Sequence, residues 1–461
     1  MKILNMNSKI KFLPLALMMA GSIDSIRNLP SSALFGASII FYVIFASLIF
    51  LIPTGLVSAF LSSKYHQSEG VYDWVKEALG KKLAFTAIWF QWVNTLIWYP
   101  AMLSFIASVL FYLINPNFIH NRLLIAITVI IIFWSLTIIN LLGLKSSVKF
   151  ASICTLFGMI IPMLSIVIMG IIYLIFSNKI AIHFSRSTIF PNIMDFNNIT
   201  ALTAVVTAFL GMELATVHIK KIENPRKNIP KAIYLTVIFI MISMILGSLA
   251  IAIVIPKNDI SLVGGVIQSF SYFLSQYHLQ SLLDLLVLMI LIGSLGSTIN
   301  WIISPAKGLL QSAHDDFLPH FFKHKNKNEV PKNILLLQAC IVTLICLIFT
   351  LLPSVNGAYW FLSSLSTQLY MVMYLLMFIS AIKLIKTNSN NKGSHDFITF
   401  SAFVGIIGVT CTIIIGFIPP NNIIIGSKIN YEILYISSII IALIPIILID
   451  KFRKINSYGF I

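Results

Sequence analysis

The 461-residue chain is 58% hydrophobic and 10% charged, and its 31 Lys and Arg against 15 Asp and Glu give a formal net charge of +16. Because ordinary soluble proteins have about a quarter of their residues charged, this composition excludes a soluble fold. The cysteines lie in apolar runs without paired spacing, which favours neither a disulfide framework nor a zinc site: Cys154, Cys340, Cys346 and Cys411.

Twelve apolar segments follow one another along the chain, and a helix needs roughly 20 such residues to cross the hydrocarbon core of a bilayer. We predict membrane spans near residues 12–33, 37–61, 84–114, 123–143, 150–177, 198–219, 232–256, 281–305, 333–353, 357–382, 397–419 and 432–450. The first segment resembles a signal peptide, but it leads into a second span, so we keep it as a membrane helix. The predicted fold class is an all-α membrane protein with twelve transmembrane helices.

The placement of the basic residues tests this topology, since Lys and Arg collect in cytoplasmic loops. With the N-terminus inside, 25 of the 31 Lys and Arg lie in inside segments, and six do not: Arg27, Arg122, Lys179, Arg186, Lys257 and Lys428. Both termini are therefore predicted to be cytoplasmic. The positive charge is explained by topology, so nucleic acid is not an expected partner, whereas the lipid bilayer is.

The loops are too short to fold alone; the longest lie near residues 62–83, 178–197, 257–280 and 306–332. The first contains apolar residues at helical spacing over residues 69–80, which predicts a short interfacial helix. The functional site must therefore lie among the membrane helices.

Two spans combine glycine with polar residues in mid-membrane. In span one, Gly21, Ser22, Ile23 and Asp24 interrupt an apolar helix, and in span six Phe209 and Gly211 precede Glu213. Glycine and small polar residues are typical of discontinuous helices, whose freed backbone groups bind substrates and ions. Spans one and six hold equivalent positions if the chain consists of two five-helix repeats of opposite topology.

Ionisable groups inside a span are costly and therefore indicate function. Asp24 and Arg27, three residues apart, can form an internal pair, which does not exclude a substrate site beside them. Glu213 has no partner at helical spacing except His218, and we interpret it as the proton- or charge-coupling group; a hydrogen-bonded structural role is the alternative.

Polar and aromatic residues also line two other spans. Span three carries Asn94 and Trp98 four residues apart, and span eight carries Ser297, Asn300 and Trp301. Each indole could stack on a substrate or simply pack in the bundle. We include Asn94, Ser297, Asn300 and Trp301 among the candidate substrate-binding residues.

At several of these stretches the chain resembles the amino acid/polyamine/organocation transporter superfamily, and within it the bacterial glutamate/γ-aminobutyrate antiporter group. The matching stretches cover nearly the whole chain in order: residues 69–80, 211–213, 223–230, 254–261, 301–308, 316–319 and 417–423. The resemblance implies the inverted-repeat fold of the sodium-coupled transporter LeuT, with repeats over residues 1–180 and 181–392 and two further helices over 393–461. It also implies discontinuous helices one and six and a location in the bacterial inner membrane.

The resemblance further implies roles for individual residues. Backbone N–H groups of residues 21–24 would receive the α-carboxylate of the substrate, Glu213 matches an acidic residue that responds to substrate and protons, and Trp301 borders the substrate. Two departures stand out: Ser297 replaces the glutamate that the antiporter group carries four residues before the tryptophan, and only about ten residues follow the last predicted span. Glutamate specificity and acid gating are therefore not implied.

The predicted function is secondary active transport of an amino acid, by exchange or proton coupling. A polyamine or organic cation permease is the alternative, although few acidic residues face the predicted cavity, and a channel is a further one. Motifs of membrane-embedded enzymes are absent from the sequence, so we expect neither catalysis nor a cofactor or metal. Whether monomers pair as a homodimer is left open.

Overall fold

α-Helices make up nearly all of the regular structure in the computed structural model, and the residues that it describes form no β-strand. Those residues are 12–23, 25–64, 70–143, 154, 156–177, 180–192, 196–213, 222–315, 317–387, 392–421 and 423–458.

The helices are numbered here in chain order. Those before residue 220 are α1 (Phe12–Ile23), α2 (Leu29–Ala33), α3 (Ile39–Ala46), α4 (Ile52–Lys64), α5 (Val71–Leu79), α6 (Lys81–Ile114), α7 (Arg122–Leu141), α8 (Ile161–Phe176), α9 (Arg186–Ile189), α10 (Phe196–Ile199) and α11 (Ala201–Ala208). Those after it are α12 (Pro225–Ala252), α13 (Gly265–Gln276), α14 (Ser281–His314), α15 (Lys332–Ile345), α16 (Ile348–Leu351), α17 (Val355–Thr387), α18 (Lys392–Ile415) and α19 (Lys428–Tyr458).

Ten helices in the described part of the chain are long and apolar enough to cross a membrane. They are Gly36–Lys64, Lys81–Ile114, Arg122–Leu141, Leu156–Phe176, Lys227–Ala252, Ser281–Ala313, Lys332–Leu351, Val355–Thr387, His395–Ile415 and Lys428–Ile449. Each corresponds to one predicted span. The two predicted spans without such a helix are the first and the sixth, the same two that were expected to be interrupted.

Several predicted boundaries are corrected by the structure. Span eight does not end near residue 305, because α14 continues through Pro305 to His314; a proline within a membrane helix is tolerated where neighbouring groups satisfy the backbone. The predicted loop over residues 257–280 contains the helix α13. The helix predicted over residues 69–80 is present as α5, which lies between Gly70 and Gly80, both at positive φ.

The long helices α6 and α17 form the centre of the bundle. In their most apolar windows 72% and 67% of residues are buried, against 11% for the last helix, α19. Large apolar side chains are exposed on the outer helices, among them Ile131, Ile168 and Ile441. A membrane provides the solvent that such a surface needs. Any site in the middle of the molecule is therefore built against α6 and α17.

The segment before α13, which the predicted topology places outside, is hydrogen-bonded to the start of α17. The backbone N–H of Leu262 donates to Asn356 Oδ1 at 2.8 Å, and Asn356 Nδ2 donates to the carbonyl of Ile260 at 3.2 Å. Asn356 thus holds two backbone groups of this segment, called here the outer loop (residues 257–264).

On the predicted cytoplasmic side, Asp315 ties the end of α14 to α5. Its Oδ2 accepts from Lys76 Nζ at 2.5 Å and from the Tyr72 hydroxyl at 2.6 Å, and Lys81 Nζ lies 3.9 Å from its Oδ1. The Lys76 hydrogen bond, and then that of Tyr72, hold the pKa of Asp315 below its usual range.

Candidate functional site

The chain leaves the helical conformation within the predicted first span, where the interruption was expected. α1 ends at Ile23, Ser25 is extended at φ −154° and ψ 130°, and a 3-10 turn over Ile26–Asn28 leads into α2. Gly21 and Ser22 lie in the last turn of α1, Ile23 is buried, and Asp24 lies outside the described residues. The Asp24–Arg27 pair therefore stays a prediction.

A second interruption lies in the predicted sixth span. α11 ends at Ala208, and after the buried Phe209 the chain turns at Gly211, whose φ of +106° lies in the region that favours glycine. Its backbone N–H, freed from the helix, donates to the hydroxyl of Tyr374 at 2.9 Å. Residues 214–221, which follow Glu213, lie outside the described part.

Glu213 is 2% exposed, and both its carboxylate oxygens accept hydrogen bonds from tyrosines of α17. The Tyr370 hydroxyl donates to Oε1, and the Tyr374 hydroxyl donates to Oε2 at 2.5 Å. Because these tyrosines are four residues apart, they lie on one face of α17. The hydroxyl of Tyr370 also accepts from Gln91 Nε2 of α6 at 3.2 Å.

The direction of these hydrogen bonds is fixed by the N–H donors. Each phenol oxygen accepts one N–H, from Gln91 or from Gly211, and this leaves its own hydrogen for Glu213. An ionised carboxylate only accepts hydrogen bonds. Both hydroxyls are therefore placed to donate to Glu213 when its carboxylate is ionised.

A small cavity with mostly polar lining residues lies between α2, α11 and α17, next to the turn of the sixth span. Its free space, about 10 Å³ for the centre of a water molecule, admits about one water. Its lining residues are Asn28, Ser31, Thr203, Ala204, Thr207, Tyr359, Trp360, Ser363 and Ser364. Thr203 Oγ1 and Trp360 Nε1 have no hydrogen-bond partner among the described residues, so a water there would satisfy buried polar groups.

An aromatic group connects spans one, three and eight. The rings of Trp98 and Trp301 lie 5.3 Å apart, and the guanidinium carbon of Arg27 lies 4.5 Å from the centre of the Trp98 ring. The hydroxyl of Tyr99 donates to the carbonyl of Trp301 at 2.8 Å, which fixes α14 against α6 here. Trp301 itself is half-buried.

The predicted site residues thus fall into two groups. Glu213 and Gly211 meet Tyr374 of α17, whereas Trp301 meets Trp98, which lies one turn from Asn94. Asn94 is 5% exposed, and its Oδ1 has no hydrogen-bond partner in the described part of the structure. Ser297 and Asn300 lie on α14, but their side chains are outside the described part.

Comparison with known proteins gives the chain a family. The model for amino acid permeases matches residues 10–439. The chain belongs to the amino acid permease family. Its resemblance to the glutamate/γ-aminobutyrate antiporter group is thereby confirmed, since one such antiporter from Lactococcus lactis is 29% identical over 94% of this chain and 89% of that protein.

One further relative and one solved structure are similar to the permease. An uncharacterized transporter of Legionella pneumophila is 36% identical over 91% of the permease and 92% of that protein. A manganese transporter of Eremococcus coleocola superposes with a TM-score of 0.55 at 13% identity, over 97% of the permease and the whole of that chain. The second likeness shows the fold alone. The permease is therefore a bacterial integral membrane transporter of the amino acid and polyamine class.

Sequence reasoning missed the partners of Glu213 in the permease. Tyr370 and Tyr374 lie in span ten, which has no charge to draw attention to it. The signal was a polar stripe, because Thr367, Tyr370 and Tyr374 recur at helical spacing. Gln91 of span three was not predictable, since its contact with Tyr370 depends on how α6 and α17 pack.

Proposed function

We propose that the permease is a secondary active transporter that exchanges amino acids or couples their uptake to protons, with Glu213 as the coupling group. In this proposal the interrupted first and sixth segments cross the membrane with the ten long helices, which gives twelve spans. Residues 1–180 and 181–392 form two inverted repeats, and residues 393–461 add two helices. Both termini face the cytoplasm.

The observation that carries the proposal is the pair of tyrosine hydroxyls on Glu213, at a turn where the chain leaves the helix. A buried carboxylate beside an interrupted helix is the arrangement that proton- and ion-coupled transporters use. A change in the charge of Glu213 would alter its hydrogen bonds with α17, and with them the contact between the sixth span and α17.

Proton binding would rearrange the hydrogen bonds at Glu213. A protonated carboxyl must donate one hydrogen bond, but both phenol hydrogens already point at its oxygens. One tyrosine hydroxyl must then accept the carboxyl hydrogen and turn its own hydrogen away from Glu213, which leaves that donor without this partner and weakens the attachment of the sixth segment to α17. This two-state contact is the proposed link between proton and transport.

The substrate is proposed to lie between the two interruptions and the aromatic group. Following the resemblance, backbone N–H groups at residues 21–24 would bind its α-carboxylate; since residues 21–23 form the last turn of α1, this binding requires that turn to open. Asn94 and Trp301 would line the opposite wall, with Ser297 and Asn300 on the same helix as Trp301. Phe209 and Gly211 would border the site from the interrupted sixth span.

Radiolabelled uptake into proteoliposomes tests the function. Vesicles are preloaded in turn with each of the twenty amino acids, γ-aminobutyrate or putrescine, and uptake is measured at acid and neutral pH. Acceleration by an internal amino acid supports exchange, and uptake into empty vesicles driven by a pH gradient supports proton coupling. Acceleration by putrescine alone would replace the proposal with a polyamine permease, and no uptake under any condition would refute it.

A further inference from the structure

Pro305 lies within α14, four residues after Trp301. A proline has no N–H, so it cannot form the usual helical hydrogen bond to the carbonyl of the residue four positions before it. In α14 that carbonyl belongs to Trp301, which the proposed function places beside the substrate. A carbonyl that loses its helical donor inside a membrane span needs a donor from a neighbouring group.

Tyr99 of α6 provides that donor. Its hydroxyl donates to the carbonyl of Trp301 at 2.8 Å. The side chain of Tyr99 is buried, and the centre of its ring lies 5.0 Å from that of Phe133 on α7. The residue before it, Trp98, has its ring centre 5.3 Å from that of Trp301. Two consecutive residues of α6 therefore contact Trp301, one at its backbone and one at its indole.

Two further helices donate hydrogen bonds to the same turn of α14. Asn140 Nδ2 of α7 donates to the carbonyl of Ile299 at 3.2 Å, and Gln338 Nε2 of α15 donates to the carbonyl of Ile302 at 3.3 Å. Successive residues of an α-helix differ by about 100° around its axis, so these carbonyls lie on different sides of α14. The turn that carries Trp301 is therefore fixed by side chains from three neighbouring helices.

We propose that Tyr99 is a positioning residue for the substrate site, which acts through Trp301 and does not itself touch the substrate. Its hydroxyl replaces the N–H that Pro305 lacks. Without this hydrogen bond the carbonyl of Trp301 would be buried without a donor, and α14 would relieve it by bending or rotating at the proline. Such a movement would displace Trp301 and also Asn300, the residue before it.

This inference rests on the proposed function and goes beyond it by identifying what positions Trp301. The competing explanation is that Tyr99 only packs α6 against α7 through Phe133. Tyr99→Phe keeps the ring and its contact with Phe133 but removes the hydroxyl. The substitution therefore separates the positioning role from the packing role.

The test is a double-mutant cycle in the full-length protein, with wild type, Tyr99→Phe, Pro305→Ala and the double variant. Pro305→Ala supplies a backbone N–H for the carbonyl of Trp301, which makes the tyrosine hydroxyl dispensable. The transport probe in proteoliposomes is the radiolabelled compound that wild type takes up fastest among the twenty amino acids, γ-aminobutyrate and putrescine. Ser104→Ala is the matched control, because it removes a buried hydroxyl of α6 that donates within its own helix, to the carbonyl of Ala101.

We expect Tyr99→Phe to raise KM at least about fivefold, equivalent to roughly 1 kcal/mol, and to change kcat less than about twofold. In the Pro305→Ala background the same substitution should change KM less than about twofold, and Ser104→Ala should leave KM at the wild-type value. Melting temperatures of the purified proteins give the same comparison without a substrate. Tyr99→Phe should lower the melting temperature of wild type more than that of Pro305→Ala.

Two results would overturn the inference while the proposed function stands. An equal rise in KM with and without Pro305→Ala would assign Tyr99 to packing, because a restored backbone N–H would not have replaced its hydroxyl. A wild-type KM in Tyr99→Phe would show that Trp301 keeps its position without the hydrogen bond. If wild type transports none of the compounds, the proposed function itself fails, and the positioning role fails with it.

Discussion

Tyr374→Phe removes a single hydroxyl that satisfies two buried groups at once. The hydroxyl donates to Glu213 Oε2 and accepts the N–H of Gly211. The phenyl ring keeps its packing, including its edge contact with Phe50 at 5.0 Å. The change therefore tests the hydrogen bonds of the turn at Gly211 rather than the volume of the core.

The expected loss of stability follows from the groups left behind. The buried Gly211 N–H loses its partner and Glu213 loses one of its hydrogen bonds, each unfavourable by about 1–3 kcal/mol, which gives about 2–6 kcal/mol in total. Unfolding entropy near 2.1 cal/mol/K per residue gives roughly 1 kcal/mol per degree for 461 residues. The apparent melting temperature should therefore fall by roughly 2–6 °C.

Fluorescence-detected size exclusion after heating measures this fall in detergent. Tyr431→Phe is the matched control, because Tyr431 is 1% exposed and its hydroxyl has no hydrogen-bond partner among the described residues. Tyr370→Phe should be milder, since half-buried Gln91 can reach other partners. Equal melting temperatures for Tyr374→Phe and Tyr431→Phe would refute the hydrogen bonding described at Glu213.

Three further predictions concern the coupling group, the aromatic wall and the cytoplasmic side. Glu213→Gln should flatten the pH dependence of uptake while the protein still reaches the membrane, and an unchanged pH profile would remove Glu213 from the coupling role. Trp301→Ala should raise KM about tenfold, equivalent to roughly 1.4 kcal/mol, whereas wild-type kinetics would favour a packing role. The lowered pKa of Asp315, which Lys76 and Tyr72 cause, stabilises the fold above the ordinary aspartate range near about 4. This stabilisation is lost as the pH falls through the lower folded pKa. The melting temperature of Asp315→Asn should therefore depend less on pH below the ordinary aspartate range than that of wild type, and parallel curves would contradict this.

Much of the fold was predictable because membrane helices are specified by local composition. Ten predicted spans correspond to helices, and glycine beside polar residues indicated the interruptions in the first and sixth spans, although the first begins only after Ile23 and not at Gly21. The end of α14 was not, because Pro305 is a helix terminator in water but not necessarily in a bundle. The helix α13 was missed because its 12 residues are too few for a membrane span.

The site was predictable only where one side chain was unusual by itself. Glu213 was found because a carboxylate in mid-span is rare, whereas Tyr370 and Gln91 are ordinary in sequence and gain meaning from packing. Arg27 was seen as a partner of Asp24, three residues away, because a sequence reveals neighbours along a helix. Its contact with Trp98, which lies on another helix, depends on tertiary structure.

The attachment of the outer loop to Asn356 has a consequence for transport at a distance. Asn356 and Tyr374 lie on the same helix, α17, about 27 Å apart at 1.5 Å per residue. If α17 moves as one rigid helix, its contacts with the outer loop, which the predicted topology places outside, and with Glu213 would be coupled. If release of the loop makes protonation of Glu213 more favourable, protonation must favour release by the same factor. Acid on one face of the membrane would then act as a signal on the other.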